Sequence, residues 1–128
     1  MDVLLDTHAF LWYTQGDPRF SKKAKSVFDE PDTRKVLSIV SVWEIAIKNS
    51  LAKLKLACSF KDFVRDYVLI PELRLLPVSV NHLIEVNRLP FNHRDPFDRL
   101  LIAQSLTEGI PILANEKIFE SYGVSRIW

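Results

Sequence analysis

Five acidic residues lie at the ends of apolar runs or at the start of a helical segment. Asp6 ends an apolar run, Glu44 follows a second one, Asp95 and Asp98 open a helical segment, and Glu116 follows a third apolar run. Carboxylates that share one cleft can hold a hard divalent cation, which activates water and neutralises charge on a phosphate. Each acid alone has a plainer explanation as a helix cap or an ion-pair partner. The elements that position them therefore decide between the two.

The chain alternates strands with helices. Strands are predicted at residues 2–6, 35–40, 73–78 and 110–114, with an edge strand at 124–128. Helices are predicted at residues 9–13, after 21, 41 and 59, at 80–89, from 95 to 109, and as one or two turns at 115–122. The first strand is an uninterrupted apolar run, Val3-Leu4-Leu5, as in strands buried on both faces. The pattern predicts one α/β domain, 1–128, with three layers and a parallel sheet of four or five strands.

Two helix starts carry acids. Ser41 and Glu44 have the spacing of a capping box, which puts Glu44 at the third helical position. Asp95 precedes Pro96, so Asp95 is predicted as the N-cap and Asp98 as the third helical residue. The apolar residues that recur at helical spacing after Ser41 are predicted to face the core: Trp43, Ile47, Leu51 and Leu54.

Topology brings the acids to one edge of the sheet. An element that follows a parallel strand starts at the carboxyl edge of the sheet, where open α/β sheets bind ligands. Asp6, Glu44 and Glu116 reach this edge directly, and the helix of Asp95 and Asp98 returns to it because it leads into the fourth strand. The repulsion between these carboxylates has to be offset, and a divalent cation does this. His8, His82 and His93 are scattered in the sequence, without zinc-ligand spacing, and His82 is expected on a helix surface.

Composition narrows the class of protein. The 128 residues are 48% hydrophobic, enough for a core, and the formal net charge of +1 argues against binding nucleic acid by bulk positive charge. The single Cys58 excludes an intramolecular disulfide framework and is compatible with a reducing cytoplasm. Met1 leads straight into a strand and no apolar run reaches transmembrane length. We expect neither a signal peptide nor a membrane span, and a cytoplasmic location.

Four segments together resemble the PIN domain family, and within it the VapC-like toxins. They are Leu4-Leu5-Asp6-Thr7-His8, then Ser41 to Lys48 with its Trp-Glu-Ile, then His93 to Gln104 with its Asp-Pro-Phe-Asp-Arg, and finally Tyr122-Gly123-Val124. The resemblance spans nearly the whole chain, in order. It implies a PIN-like fold and a Mg²⁺- or Mn²⁺-dependent endoribonuclease of a toxin–antitoxin pair. It also implies a homodimer that is silenced by a small antitoxin.

The resemblance also implies site residues. Asp6, Glu44 and Asp98 would be the metal-binding and catalytic acids, with Asp95 beside them and Glu116 as a fourth metal ligand. Thr7 and Ser41 would be polar neighbours that contact the substrate. One departure concerns Glu116: the family often has threonine, any residue, aspartate before the closing Tyr-Gly, whereas this chain has Ala114-Asn115-Glu116.

Basic residues are candidates to hold the phosphates of RNA that flank the cleaved bond. The candidates are Arg34, Lys48, Lys53, Lys55, Arg94 and Arg99. Arg99 is favoured because it adjoins Asp98, whereas Lys53 and Lys55 also fit a solvated helix face. Trp12 fits the core and, alternatively, a surface on which a base stacks.

Three other functions remain open from the sequence. An RNA-processing nuclease without an antitoxin would share every residue named above. A non-catalytic binding module would explain the Ala114-Asn115-Glu116 departure as loss of a ligand. A phosphotransfer or phosphatase domain is disfavoured, because the first strand lacks a second acid two residues after Asp6.

Overall fold

The computed structural model describes residues 1–128 and contains one parallel five-stranded sheet in the order β3-β2-β1-β4-β5. The strands are β1 (Asp2–Leu5), β2 (Arg34–Ser38), β3 (Leu73–Leu76), β4 (Ile112–Leu113) and β5 (Arg126–Ile127). The α-helices are α1 (Thr7–Gln15), α2 (Lys22–Asp29), α3 (Ile39–Ser50), α4 (Phe60–Phe63), α5 (Val80–Arg88) and α6 (Pro96–Glu108). A π-helical segment, Val64–Val68, continues α4, and a 3-10 helix, Lys117–Tyr122, precedes β5. The predicted α/β fold with a parallel sheet is confirmed.

The central strand β1 packs on both of its faces. Leu4 belongs to the core on the side of α5 and α6, whereas Val3 and Leu5 belong to the core on the side of α1, α2 and α4. All three are completely buried. Leu4 lies between Val36 of β2 and Ile112 of β4 in the sheet register. The uninterrupted apolar run thus fills two cores, and the end of β1 falls in the middle of the carboxyl edge.

Helix α3 starts earlier than predicted. Its N-cap is Ser38, whose side chain accepts a hydrogen bond from the backbone N–H of Val40, so Ser41 lies inside the helix. The predicted capping box of Ser41 and Glu44 is therefore wrong, and Glu44 lies in the second turn. Two serines three positions apart can each cap a helix, and the β-branched pair between them fits a strand or a helix equally well.

The face that α3 turns to the core also differs from the predicted one. Ile45 is completely buried, whereas Trp43 and Leu51 are more than half exposed, so the prediction that these two face the core is wrong.

His82 also differs from its prediction, because it is almost fully buried instead of lying on a helix surface. Its ring accepts a hydrogen bond from the backbone N–H of Ser79 and contacts Glu108. No helix combines the length and the apolar composition that crossing a bilayer requires.

Candidate functional site

Asp6 both caps a helix and stands at the centre of the carboxyl edge. It follows β1 directly, and its Oδ2 accepts hydrogen bonds from the backbone N–H groups of His8 (3.2 Å) and Ala9 (3.4 Å) at the start of α1. The residue is only 3% exposed. The capping role and the position predicted for chemistry therefore belong to the same carboxylate.

The two acids at the start of α6, Asp95 and Asp98, have different roles. Asp95 is the N-cap, and its Oδ1 accepts hydrogen bonds from the backbone N–H groups of Phe97 (2.8 Å) and Asp98 (3.1 Å). Pro96 is the first helical residue, as predicted. The side chain of Asp98 is buried and makes no cap hydrogen bond, and its Oδ2 lies 2.7 Å from Nε2 of His93. Asp98 is thus the acid of this pair whose carboxylate is turned to other side chains.

His93 joins two of the acids and was missed in the sequence. Its Nε2 lies 3.7 Å from Oε2 of Glu116 as well as beside Asp98, and the ligand atoms of these three residues lie within 4.8 Å of one another. The hydroxyl of Tyr122 accepts a hydrogen bond of 2.7 Å from the backbone N–H of His93, which ties the loop to Tyr122. The sequence signal was the placement of His93 five residues before Asp98, on the loop that leads into the same helix.

Glu44 reaches the site from the second turn of α3. It is nearly completely buried, and its Oε2 accepts a hydrogen bond from Lys48, the i,i+4 partner. Its Oε1 is buried and has no hydrogen-bond partner. An unpaired buried carboxylate oxygen is costly, so this atom is available to accept a cation or a hydrogen-bond donor from outside the chain.

A hydrogen bond between Thr7 and Ser41 links α1 to α3. The hydroxyl of Thr7 donates a hydrogen bond to Oγ of Ser41 at 2.8 Å. Ser41 is completely buried and therefore cannot contact a substrate, which corrects its predicted substrate-binding role. Thr7 lines the groove described below, although it is also largely buried.

Burial and mutual repulsion perturb two of the carboxyls. Burial raises the pKa of Asp6 to about 7, and the negative charges of Glu116 and Glu44 add to this against the backbone donors of α1. Burial likewise raises the pKa of Asp98 to about 7, with repulsion from Asp6, Asp95 and Glu116 opposing the hydrogen bond from His93. The acids therefore act on one another electrostatically, as the topology predicted. Ionising them all without a cation is unfavourable.

Three of the acids, Asp6, Glu44 and Glu116, line a groove with two adjoining depressions. The larger, about 340 Å³, contains Asp6 and Glu116, and the smaller, about 230 Å³, contains Glu44 with Lys48 and Lys53. Both depressions are lined by His8, Leu11 and Leu54. The groove therefore runs past the first turn of α1.

The structure separates the basic candidates. Arg99 is buried, and its guanidinium donates hydrogen bonds to backbone carbonyls of residues 86, 89, 90 and 93, so its predicted role in binding phosphate is wrong. Arg34 lies at the opposite edge of the sheet and pairs with Asp2, 2.6 Å from Oδ1. Arg94 is exposed on the loop beside His93 and stays a candidate.

The donor set fits a hard divalent cation. Carboxylate oxygens are the ligands that Mg²⁺ and Mn²⁺ prefer, and the unpaired Oε1 of Glu44 is a ready acceptor of positive charge. Asp6, Asp98, Glu44 and Glu116 would hold such an ion. The imidazole of His93 is less suited to Mg²⁺ and is better placed to orient the carboxylate of Asp98.

Solved structures with the same fold belong to toxin–antitoxin systems. VapBC2 from Rickettsia felis, solved bound to a DNA fragment from its promoter, shares 11% identity with a TM-score of 0.73, over 98% of this chain and 97% of that one. VapBC-1 from nontypeable Haemophilus influenzae shares 16% with a TM-score of 0.70, over 98% and 96%. VapC20 from Mycobacterium tuberculosis, described as a sarcin–ricin loop cleaving toxin, shares 16% with a TM-score of 0.68, over 95% of each chain.

Sequence comparison gives the family. No curated protein sequence matches the chain. Residues 3–124, nearly its whole length, match the sequence model of the PIN domain. This chain, with its acids gathered at the carboxyl edge of a parallel sheet, belongs to the PIN domain family.

Proposed function

We propose that this protein is a metal-dependent endoribonuclease and the toxin of a VapBC-type toxin–antitoxin pair. The observation that carries the proposal is the meeting of Asp6, Glu44, Asp98 and Glu116 at one rim, where Oε1 of Glu44 lacks a partner. Membership of the PIN domain family and the VapC-like fold support a nuclease of the toxin type. The description of VapC20 as a toxin that cleaves the sarcin–ricin loop supports RNA as the substrate class.

Hydrolysis of a phosphodiester adds water across a P–O bond. The water oxygen bonds to phosphorus, the bond to the leaving oxygen breaks, the leaving oxygen takes up one proton and the other passes to solvent. When bound, Mg²⁺ or Mn²⁺ supplies positive charge for the phosphate and lowers the pKa of water. Asp6 and Asp98 hold the negative charge that binds the ion, and His93 keeps the carboxylate of Asp98 in one orientation. Arg94 and Lys53 border the site and attract the flanking phosphates.

The proposed partners are a small antitoxin and a second copy of this chain. Among the related structures, VapBC2 was solved bound to promoter DNA, and another is described as a toxin–antitoxin complex. Helix α5 exposes an apolar face of Val80, Leu83 and Ile84, each more than half exposed, and a homodimer would cover such a face. Co-expression with the upstream neighbouring gene, followed by affinity purification, tests the antitoxin. A chain that purifies alone from that experiment contradicts the toxin assignment and favours an RNA-processing nuclease.

The second candidate is a non-catalytic binding module. It is favoured by two pairs that satisfy acids without a metal: Glu44 with Lys48, and Asp98 with His93. Metal titration separates the two candidates. A ribonuclease site should bind Mg²⁺ or Mn²⁺ and raise the melting temperature as the ion concentration increases, whereas a module of this kind should not respond.

The decisive experiment is RNA cleavage by the purified protein with and without metal. We expect cleavage with Mg²⁺ or Mn²⁺ and none in excess EDTA, restored when the ion is added back. Asp98→Asn protein purified in parallel excludes a contaminating nuclease, because it should fold and fail to cleave. Cleavage that persists in EDTA, or an Asp98→Asn protein as active as wild type, contradicts the proposal.

A further inference from the structure

Two aromatic rings stand at the mouth of the acidic groove. His8 and Trp12 are one helical turn apart on α1, so they lie on the same face of the helix. Their ring centroids are 6.0 Å apart and their planes differ by 28°, which is a stacked arrangement. Both rings line the depression of about 340 Å³ that also contains Asp6 and Glu116.

These rings differ from the other aromatic residues of the same layer. Phe10, Phe28 and Phe63 are buried in the core beneath α1, whereas His8 is exposed and Trp12 is half-buried. Core packing therefore explains the three phenylalanines and leaves His8 unexplained. An exposed flat ring that borders a polar groove contributes little to stability and can bind a flat partner.

Trp12 contacts two further side chains. It packs against Trp128 at 5.7 Å between centroids, and the guanidinium carbon of Arg19, which lines the same depression, lies 4.9 Å from the centroid of its ring. Arg19 is exposed and forms an ion pair with Asp17 (2.8 Å). A surface that is ordered before binding loses little conformational entropy when a ligand stacks on it.

The charges of the groove indicate that the flat partner is the base of a nucleotide. Its floor is acidic and would hold a cation against a phosphate, and Lys53 at the other end supplies positive charge. A nucleotide whose phosphate lies at the acids extends its base by several ångströms, toward a wall of the groove. Unpaired bases stack on aromatic side chains, and this stacking contributes to affinity with little dependence on which base is bound. A base inside a duplex has both faces covered and cannot do so.

We propose that His8 and Trp12 form a stacking surface for one unpaired base of the RNA, next to the bond that is cleaved. The inference rests on the proposed ribonuclease function and names the form of RNA that the site accepts. It makes His8 and Trp12 positioning residues for the base, distinct from the acids that would hold the metal. Cleavage should therefore be confined to single-stranded RNA and to loops.

The test combines variants of the ring pair with variants of the substrate. Cleavage with Mg²⁺ is measured for short single-stranded oligoribonucleotides, intact or with one abasic position at each place around the cleaved bond. We expect Trp12→Leu and His8→Ala to lower kcat/KM on the intact RNA by about 5- to 100-fold, mainly through KM. On the RNA that lacks the stacked base, the same variants should have little effect, because the contact is already absent. Trp12→Phe should restore most of the activity.

Controls distinguish a failure of the stacking proposal from a failure of the ribonuclease proposal. Tyr13→Leu changes an aromatic residue of α1 that lines a different depression, and its kinetics should match wild type. His8 is exposed, so His8→Ala keeps the test valid if Trp12→Leu lowers the melting temperature. Equal losses on intact and abasic RNA, no loss in either variant, or equal cleavage of duplex RNA would overturn the stacking surface while leaving the ribonuclease in place. No cleavage of any RNA by the wild type would overturn the ribonuclease and the stacking surface together.

Discussion

Nε2 of His93 lies 2.7 Å from Oδ2 of Asp98, across the junction between a loop and the first turn of α6. A histidine that orients a metal-binding carboxylate affects metal affinity without being a ligand, typically by 10- to 100-fold. We expect His93→Ala to lower metal-dependent cleavage, and the affinity for Mn²⁺, by about that factor. His93→Gln keeps a hydrogen-bond donor and should retain more of both.

The matched control for His93 is Asn92→Ala on the same loop. Asn92 is exposed and donates a hydrogen bond to Ser121 at 3.1 Å. Titration with Mn²⁺ monitored by calorimetry, together with cleavage rates, provides the comparison. Wild-type metal affinity in His93→Ala would mean that the loop histidine only pairs with Asp98 in the metal-free state.

Asp6 should make the stability of the metal-free protein fall as pH rises. Its pKa in the folded state is about 7 against an ordinary value of 3.8, so between these values the folded state binds more protons than the unfolded state. The contribution of Asp6 to stability is then greatest below pH 4, declines up to about pH 7 and stays constant above it. Asp6→Asn removes the ionisation, and we expect it to raise the free energy of unfolding at pH 8 by about 1–4 kcal/mol.

The measurement for Asp6 is urea unfolding at several pH values in EDTA. The difference between Asp6→Asn and wild type should be large at pH 8 and vanish near pH 4, because asparagine still caps α1. RNA cleavage by the same variant should be almost lost. A variant that is less stable than wild type at pH 8 would mean that the carboxylate serves α1 as a cap and little else.

Asp95 and Asp98 should respond in opposite ways. Asp95→Ala removes the N-cap of α6 and should cost roughly 0.5–2 kcal/mol of stability while part of the cleavage activity remains. Asp98→Asn leaves the cap intact and should abolish cleavage without loss of stability. Melting temperature and cleavage rate of both proteins test the assignment, and the reverse pattern would exchange their roles.

Glu116 should contribute less than Asp6. Its side chain is 43% exposed and lies at the edge of the cluster, with Oε2 3.7 Å from His93. Glu116→Gln should therefore lower the cleavage rate several-fold, while Asp6→Asn removes most of it. Rates measured at saturating Mg²⁺ make the comparison, and equal losses would place Glu116 among the principal acids.

Arg99 should matter for stability and not for RNA. Its guanidinium satisfies several buried carbonyls around the loop between α5 and α6. Arg99→Met leaves those carbonyls unpaired and should cost at least about 3 kcal/mol. Arg94→Ala, which changes an exposed residue, should leave stability within about 0.5 kcal/mol and weaken RNA binding. Urea unfolding and the salt dependence of RNA binding distinguish the two arginines.

The sequence by itself determined the features that depend on a few neighbouring residues. The apolar run of β1 required burial on both faces, and alternation of strands and helices required a parallel sheet with the acids at one edge. Asp95, Pro96 and Gly109 marked the start and the end of α6, where the structure has its N-cap and left-handed C-cap. These predictions held because caps and strand periodicity are local backbone chemistry.

Only the tertiary structure decided which side chains meet. The sequence predicted Ser41 as the N-cap of α3, whereas Ser38 caps the helix in the structure and Ile45 packs in the core. Arg99 adjoins Asp98 in sequence, yet successive helical residues point about 100° apart, so Asp98 contacts His93 whereas Arg99 binds backbone carbonyls of the loop between α5 and α6. His93 is five residues from Asp98 and became its partner because the loop folds back over the first turn of the helix. Such contacts depend on the path of the whole chain, which no local pattern encodes.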